Sequence, residues 1–127
     1  MRFRIDQARN LAAGLGRCLL ASAFIAAGVA HFVIPAFYLR IMPPYIPFHQ
    51  FCVAFSGVME ILLGVMLLVP RTRKLAGWGL IALLIAVFPA NIYVFQHQEM
   101  FPLPVAVHLL RLPLQGLLIA WAYLYTR

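Results

Sequence analysis

The sequence predicts an all-α protein, a transmembrane four-helix bundle, antiparallel, with a short interfacial segment between helices one and two. Three observations carry that prediction. Of 127 residues, 65% are hydrophobic and 10% charged, where soluble domains are about half apolar and about a quarter charged. The apolar residues gather into four runs of about 20, the length that an α-helix needs to cross roughly 30 Å of hydrocarbon. The cations gather in the short breaks between the runs. A soluble domain of this size would leave much of its apolar surface in water, whereas a bilayer accepts it. The length gives one domain, residues 1–127.

The runs are Leu11 to Val33, Gln50 to Val69, Leu75 to Phe95 and Val105 to Leu124. They are predicted as helices because the backbone must satisfy its own hydrogen bonds in lipid. They lack the polar alternation of a β-barrel strand. In the first run Gly14, Cys18, Ser22, Ala26 and Ala30 recur every fourth residue, a stripe of small side chains that lets another backbone approach. Packing within the monomer is the expected use, homodimerisation the other. A cleaved signal peptide competes for this run, since basic residues precede it and residues 26–30 resemble a cleavage region. The run is longer than the usual signal core, and cleavage would leave three helices.

The first connection, residues 35–49, is apolar and holds Pro35, Pro43, Pro44 and Pro47. Phe37, Tyr38, Tyr45 and Phe48 suit the membrane interface, where aromatic rings anchor. A short helix from Pro35 to Ile41 lying along the outer surface is expected, as an anchor or as a lid. The second run places Ser56, Gly57 and Gly64 on one side with Glu60. The second connection, residues 70–74, is so short that helices two and three must form an antiparallel hairpin. In the third run Gly79, Ala82, Ala86 and Ala90 lie along one side. Pro89 and Pro113 fall inside the third and fourth runs, where each removes a backbone donor and can kink the helix.

The formal net charge is +7. Nucleic-acid binding needs a solvated basic face, and these cations lie between apolar runs instead, so no nucleic-acid partner is expected. Arg2, Arg4, Arg9, Arg17, Arg71, Arg73, Lys74 and Arg127 all fall on one side of a four-span topology. The positive-inside rule then places both termini in the cytoplasm. Cys18 and Cys52 are expected at opposite depths, beyond disulfide reach. His31, His49, His97 and His108 lie towards the outer side without i, i+4 ligand spacing, so no metal site is expected. No phosphate loop, nucleophile elbow or zinc-protease motif is present, and no catalytic residue is assigned.

The candidate ligand-binding residues are His31, Glu60, Asn91, Arg111 and Gln115, all polar groups at membrane depth. His108, Arg111 and Gln115 share one face of the fourth helix by i, i+3, i+7 spacing. A charge at mid-helix costs about 2.5–3.5 kcal/mol and usually faces the bundle interior. The simplest arrangement pairs Glu60 with Arg111, with Gln115 filling the remaining hydrogen bonds and His31 and Asn91 lining the outward side. Three readings stay open: a structural pair that locks helix two to helix four, a ligand pocket, or a proton or ion path.

Several segments together resemble one bacterial family. They are Ala27-Gly-Val-Ala-His31-Phe32, Ile41-Met-Pro-Pro-Tyr45, Ser56-Gly-Val-Met-Glu60-Ile-Leu-Leu-Gly64, Phe88-Pro-Ala-Asn91-Ile-Tyr93 and Arg111-Leu-Pro-Leu-Gln115. The chain is similar to DoxX-type membrane proteins from about residue 11 onward. The resemblance implies a multi-pass protein of the bacterial inner membrane, in a family named for a subunit of a thiosulfate:quinone oxidoreductase. The expected function is therefore binding of a quinone or other amphipathic small molecule, or support of a membrane redox complex. A structural or assembly subunit, or a small transporter acting as a dimer, are the alternatives. The absence of paired cysteines argues against a self-contained dithiol mechanism.

Overall fold

The computed structural model describes residues 1–97, 99 and 104–127. Its helices are α1 (Arg2–Val33), α2 (Pro35–Arg40), α3 (His49–Leu68), α4 (Arg73–Ala86), α5 (Phe88–Gln96) and α6 (Val105–Tyr123). Among the described residues, four stretches are long and apolar enough to cross a membrane: α1, α3, the α4–α5 stretch Arg73–Gln96, and α6. The chain is thus a multi-pass, all-α four-helix bundle. Of the third connection, residues 98 and 100–103 lie outside the described residues.

Two boundaries differ from the expected ones. α1 begins at Arg2 rather than Leu11 and runs for 32 residues, about 48 Å at 1.5 Å per residue. That exceeds the roughly 30 Å of a bilayer's hydrocarbon, and Arg2, Arg4 and Arg9 lie in its first turns. The third span is interrupted at Val87, between α4 and α5. Pro89 is the cause, because it has no N–H for the carbonyl four residues back and its ring crowds that carbonyl. Pro113 lies within α6, which continues through it.

α1 and α3 cross closely. A Cβ on Gly28 would lie 2.6 Å from the Gly57 carbonyl oxygen, and one on Gly64 would lie 3.0 Å from the Ala21 carbonyl oxygen. Ile61 and Ile25 side-chain atoms also crowd these points, but the backbone oxygens cannot move aside as a side chain can, so glycine suits both positions. The face of α1 that packs inward is Leu20, Ala21, Phe24, Gly28 and His31. The small-residue stripe does not pack: Cys18, Ser22 and Ala26 are exposed. On α3 the expected face holds, with Gly57, Glu60 and Gly64 buried. On the third span Gly79 packs against Leu63, while Ala82 and Ala86 are exposed.

The two ends of the bundle differ. At the end that holds both termini and the α3–α4 turn, a dry core forms around Leu20, Leu63, Leu67, Leu80 and Ala122. The turn is closed by Thr72 Oγ1 donating to the Met66 carbonyl (2.8 Å) and Arg73 Nε donating to the Leu67 carbonyl (3.3 Å). These donors meet carbonyls that a helix end leaves unpaired. α6 is tied to α1 by Tyr125, whose hydroxyl donates to the Ala13 carbonyl (3.3 Å).

At the other end, α2 follows α1 directly and packs on α1 and α3. His31 lies level with Gly57, and α1 ends two residues later at Val33, so it stops roughly 9 Å, nearly two turns, short of the start of α3. The first connection fills that step, which accounts for its apolar composition and for the complete burial of Pro43. As expected, α2 runs along the surface of the bundle, with none of its residues buried, and Pro43 alone in the connection is fully enclosed. Here α4 packs on α3 while α5 packs chiefly on α6, so the break at Val87 turns the third span away from α3 and leaves a space.

Candidate functional site

That space is a cavity of about 490 Å³ at the α2 end. His31, Tyr38, Ser56, Glu60, Asn91 and Arg111 supply its polar lining, and Phe37, Met42, Phe55 and Leu83 are among its apolar walls. Binding sites for small molecules generally span 300–1,000 Å³, with apolar walls and a few convergent polar groups. Phe51, Phe55 and Ala86 line the cavity and are also exposed. Its mouth therefore lies between α3 and the α4–α5 break, on an exposed flank of the bundle.

His31 is positioned by the last turns of α1. Its Nδ1 lies 2.7 Å from the Ala27 carbonyl oxygen, which can only accept, so Nδ1 carries the proton. The Tyr38 ring stacks on the imidazole, with centroids 3.8 Å apart and planes at 20°. Glu60 Oε2 lies 3.2 Å from the same Nδ1, yet outside hydrogen-bond geometry, because the N–H points at Ala27. The carboxylate oxygen is thus buried with no donor, and Ser56 Oγ, one turn earlier on α3, is in the same condition. Tyr38 stands on α2, outside the four spans. Burial, and secondarily the charge of Glu60, push its phenol above the usual range, so it stays protonated at neutral pH.

Four of the five sequence-predicted residues meet at the cavity: His31, Glu60, Asn91 and Arg111. The expected partnership differs. Glu60 faces His31, and no ion pair joins it to Arg111. Gln115 stands behind the wall. It donates through Nε2 to the Leu84 carbonyl and accepts at Oε1 from Asn91 Nδ2. Gln115 thus serves a backbone carbonyl next to the helix break, the role lipid-buried polar side chains commonly take near proline. His108 and Gln115 are buried on α6 and Arg111 is half-buried between them, as their shared face required.

Sequence reasoning missed two lining groups. Ser56 was signalled by its i, i+4 relation to Glu60. Tyr38 was not, since its place depends on how the first connection folds. Cys18 and Cys52 are free thiols. Among the described residues no group of three or more His, Cys, Asp or Glu could hold a metal ion.

Residues 20–126 match the model of a family described as a domain of unknown function, DUF8561. The chain belongs to this family. The DUF8561 match takes in every residue of the cavity and both in-helix prolines, and it begins inside α1. No curated protein and no solved structure matches the chain.

Proposed function

We propose that the cavity at the α2 end binds an amphipathic small molecule, with its polar end at Glu60, His31, Asn91 and Arg111 and its apolar body along Phe37, Phe55 and Leu83. One observation carries the reading. Glu60 and Arg111 line one apolar-walled cavity without pairing to each other. A structural pair would lock α3 to α6 directly, and stranding a buried charge is costly. Here both groups remain available to a guest.

A quinone is one molecule of the right kind, having carbonyl acceptors for Arg111 and an apolar ring and tail. The resemblance to DoxX-type proteins points the same way, towards an inner-membrane protein working with a redox complex. In the orientation favoured by the cation bias both termini are cytoplasmic, and the cavity belongs to the outer half of the bilayer. Its flank opening suits a guest that arrives through lipid.

The test is an organic-solvent extract of the purified protein, compared with that of Ala86→Phe, which fills the mouth. The wild type is expected to retain an apolar compound in near-stoichiometric amount, and the variant to lose most of it. Identical extracts from two well-folded proteins would overturn the proposal and favour a structural or assembly subunit.

A further inference from the structure

The polarity of each group at the cavity wall is fixed by its other partner. The Leu84 carbonyl can only accept, so Gln115 must present its amide nitrogen there and its oxygen to Asn91. Asn91 then donates its own nitrogen to Gln115. It has left Oδ1, an acceptor, and its second N–H. Glu60 keeps 8% of its exposure, and its Oε2 has no donor because His31 Nδ1 is directed to Ala27. The α3 side of the cavity therefore offers Glu60 Oε2, an acceptor that lacks a donor, beside the Ser56 hydroxyl, which can donate or accept. Arg111, from α6, offers the reverse, since a guanidinium has five N–H donors and no acceptor.

This pattern narrows the guest, taking the cavity to be a ligand site as proposed above. A molecule that only accepts, such as a simple ketone or ester, satisfies Arg111 but strands the Glu60 carboxylate. A carboxylate guest does the same and sets its charge against Glu60. A cation satisfies Glu60 and opposes Arg111. A neutral guest sets no charge against either group. We infer that the cavity selects neutral amphipathic molecules that carry both an O–H donor, given to Glu60, and a carbonyl-type acceptor, held by Arg111. Among quinone-like molecules this favours forms that bear a hydroxyl group. The guest reaches the site laterally, past Phe51, Phe55 and Ala86, which both line the cavity and are exposed.

A matched pair of probes tests the inference on the intact protein in lipid nanodiscs. Heptyl 4-hydroxybenzoate has both groups, and heptyl 4-methoxybenzoate has lost only the donor. Equilibrium binding should favour the hydroxy ester by about tenfold or more, the range for a hydrogen bond to a buried charge. In Glu60→Leu the ratio should fall towards one, and in Ala86→Phe both esters should weaken. If Glu60→Leu does not fold, the wild-type ratio decides alone. Equal binding of the two esters, with both lost in Ala86→Phe, overturns the inference and leaves the ligand site standing. Binding that ignores Ala86→Phe, or no saturable binding of either ester, overturns both.

Discussion

The α1–α3 crossing sets the height of His31 against Glu60, so loosening it should disturb both stability and site. The sharpest perturbation is Gly28→Ala. The added methyl would lie 2.6 Å from the Gly57 carbonyl oxygen, 2.6 Å from Ile61 Cγ1 and 3.1 Å from the Ile61 nitrogen. Ile61 Cγ1 belongs to a side chain that can turn aside, but the other two atoms are α3 backbone, and the helices must separate to admit the methyl. Overpacking of a close contact costs about 1–3 kcal/mol. Because the clash is with backbone, the upper half of that range applies, about 2–3 kcal/mol, or roughly a 30- to 150-fold fall in the folded-to-unfolded ratio. Gly116→Ala is the matched control, since nothing lies within 4 Å of its added methyl. Unfolding of the two variants by steric trapping in bicelles measures the difference. If Gly28→Ala is as stable as Gly116→Ala, the helices do not meet as described and the height of His31 against Glu60 has no basis.

Three further outcomes are expected. His31→Ala should destabilise by about 2–5 kcal/mol, because it deletes a buried ring stacked on Tyr38, and the double variant with Tyr38→Ala should lose less than the sum of the two single losses. Additive losses in that thermodynamic cycle would mean the two groups are uncoupled. Pro89→Ala restores a backbone donor at the helix break, so the third span should straighten towards α3; spin labels on α3 and α5 should report a shorter distance, and an unchanged distance would remove proline as the cause of the space. For Tyr38 the raised phenol means that the unfolded chain ionises first. Its contribution to stability is complete below the ordinary tyrosine range, near pH 10, and is lost as pH rises through the higher folded value. Tyr38→Phe should flatten that alkaline decline in a stability-versus-pH series, and an identical decline in both proteins would count against the buried, Glu60-facing phenol.

Much of the fold was legible because run length and cation placement are direct consequences of bilayer thickness and charge cost. The α3 face was legible too, since Glu60 marks the inward side and Gly57 and Gly64 fall in phase with it. The α1 face was not. A helix that is apolar all round has no polar side to set its rotation, and small residues are tolerated facing lipid as well as facing a neighbour. The stripe from Gly14 to Ala30 was therefore no guide, and the packed face of Leu20, Phe24 and Gly28 runs beside it. The pairing of Glu60 failed for a different reason. Depths counted from the ends of apolar runs assume that all spans end at one plane, but α1 stops about two turns early. That step brings His31 to Glu60 and folds Tyr38 over both.

The central claim is that a guest occupies the cavity where Glu60 and Arg111 converge unpaired. A high-resolution density map of the protein in native lipid nanodiscs tests it most directly. The account predicts elongated density entering past Phe55 and ending within hydrogen-bond distance of the Glu60 carboxylate and the Arg111 guanidinium. A dry, collapsed centre, with Glu60 and Arg111 joined to each other and no density between them, would contradict it.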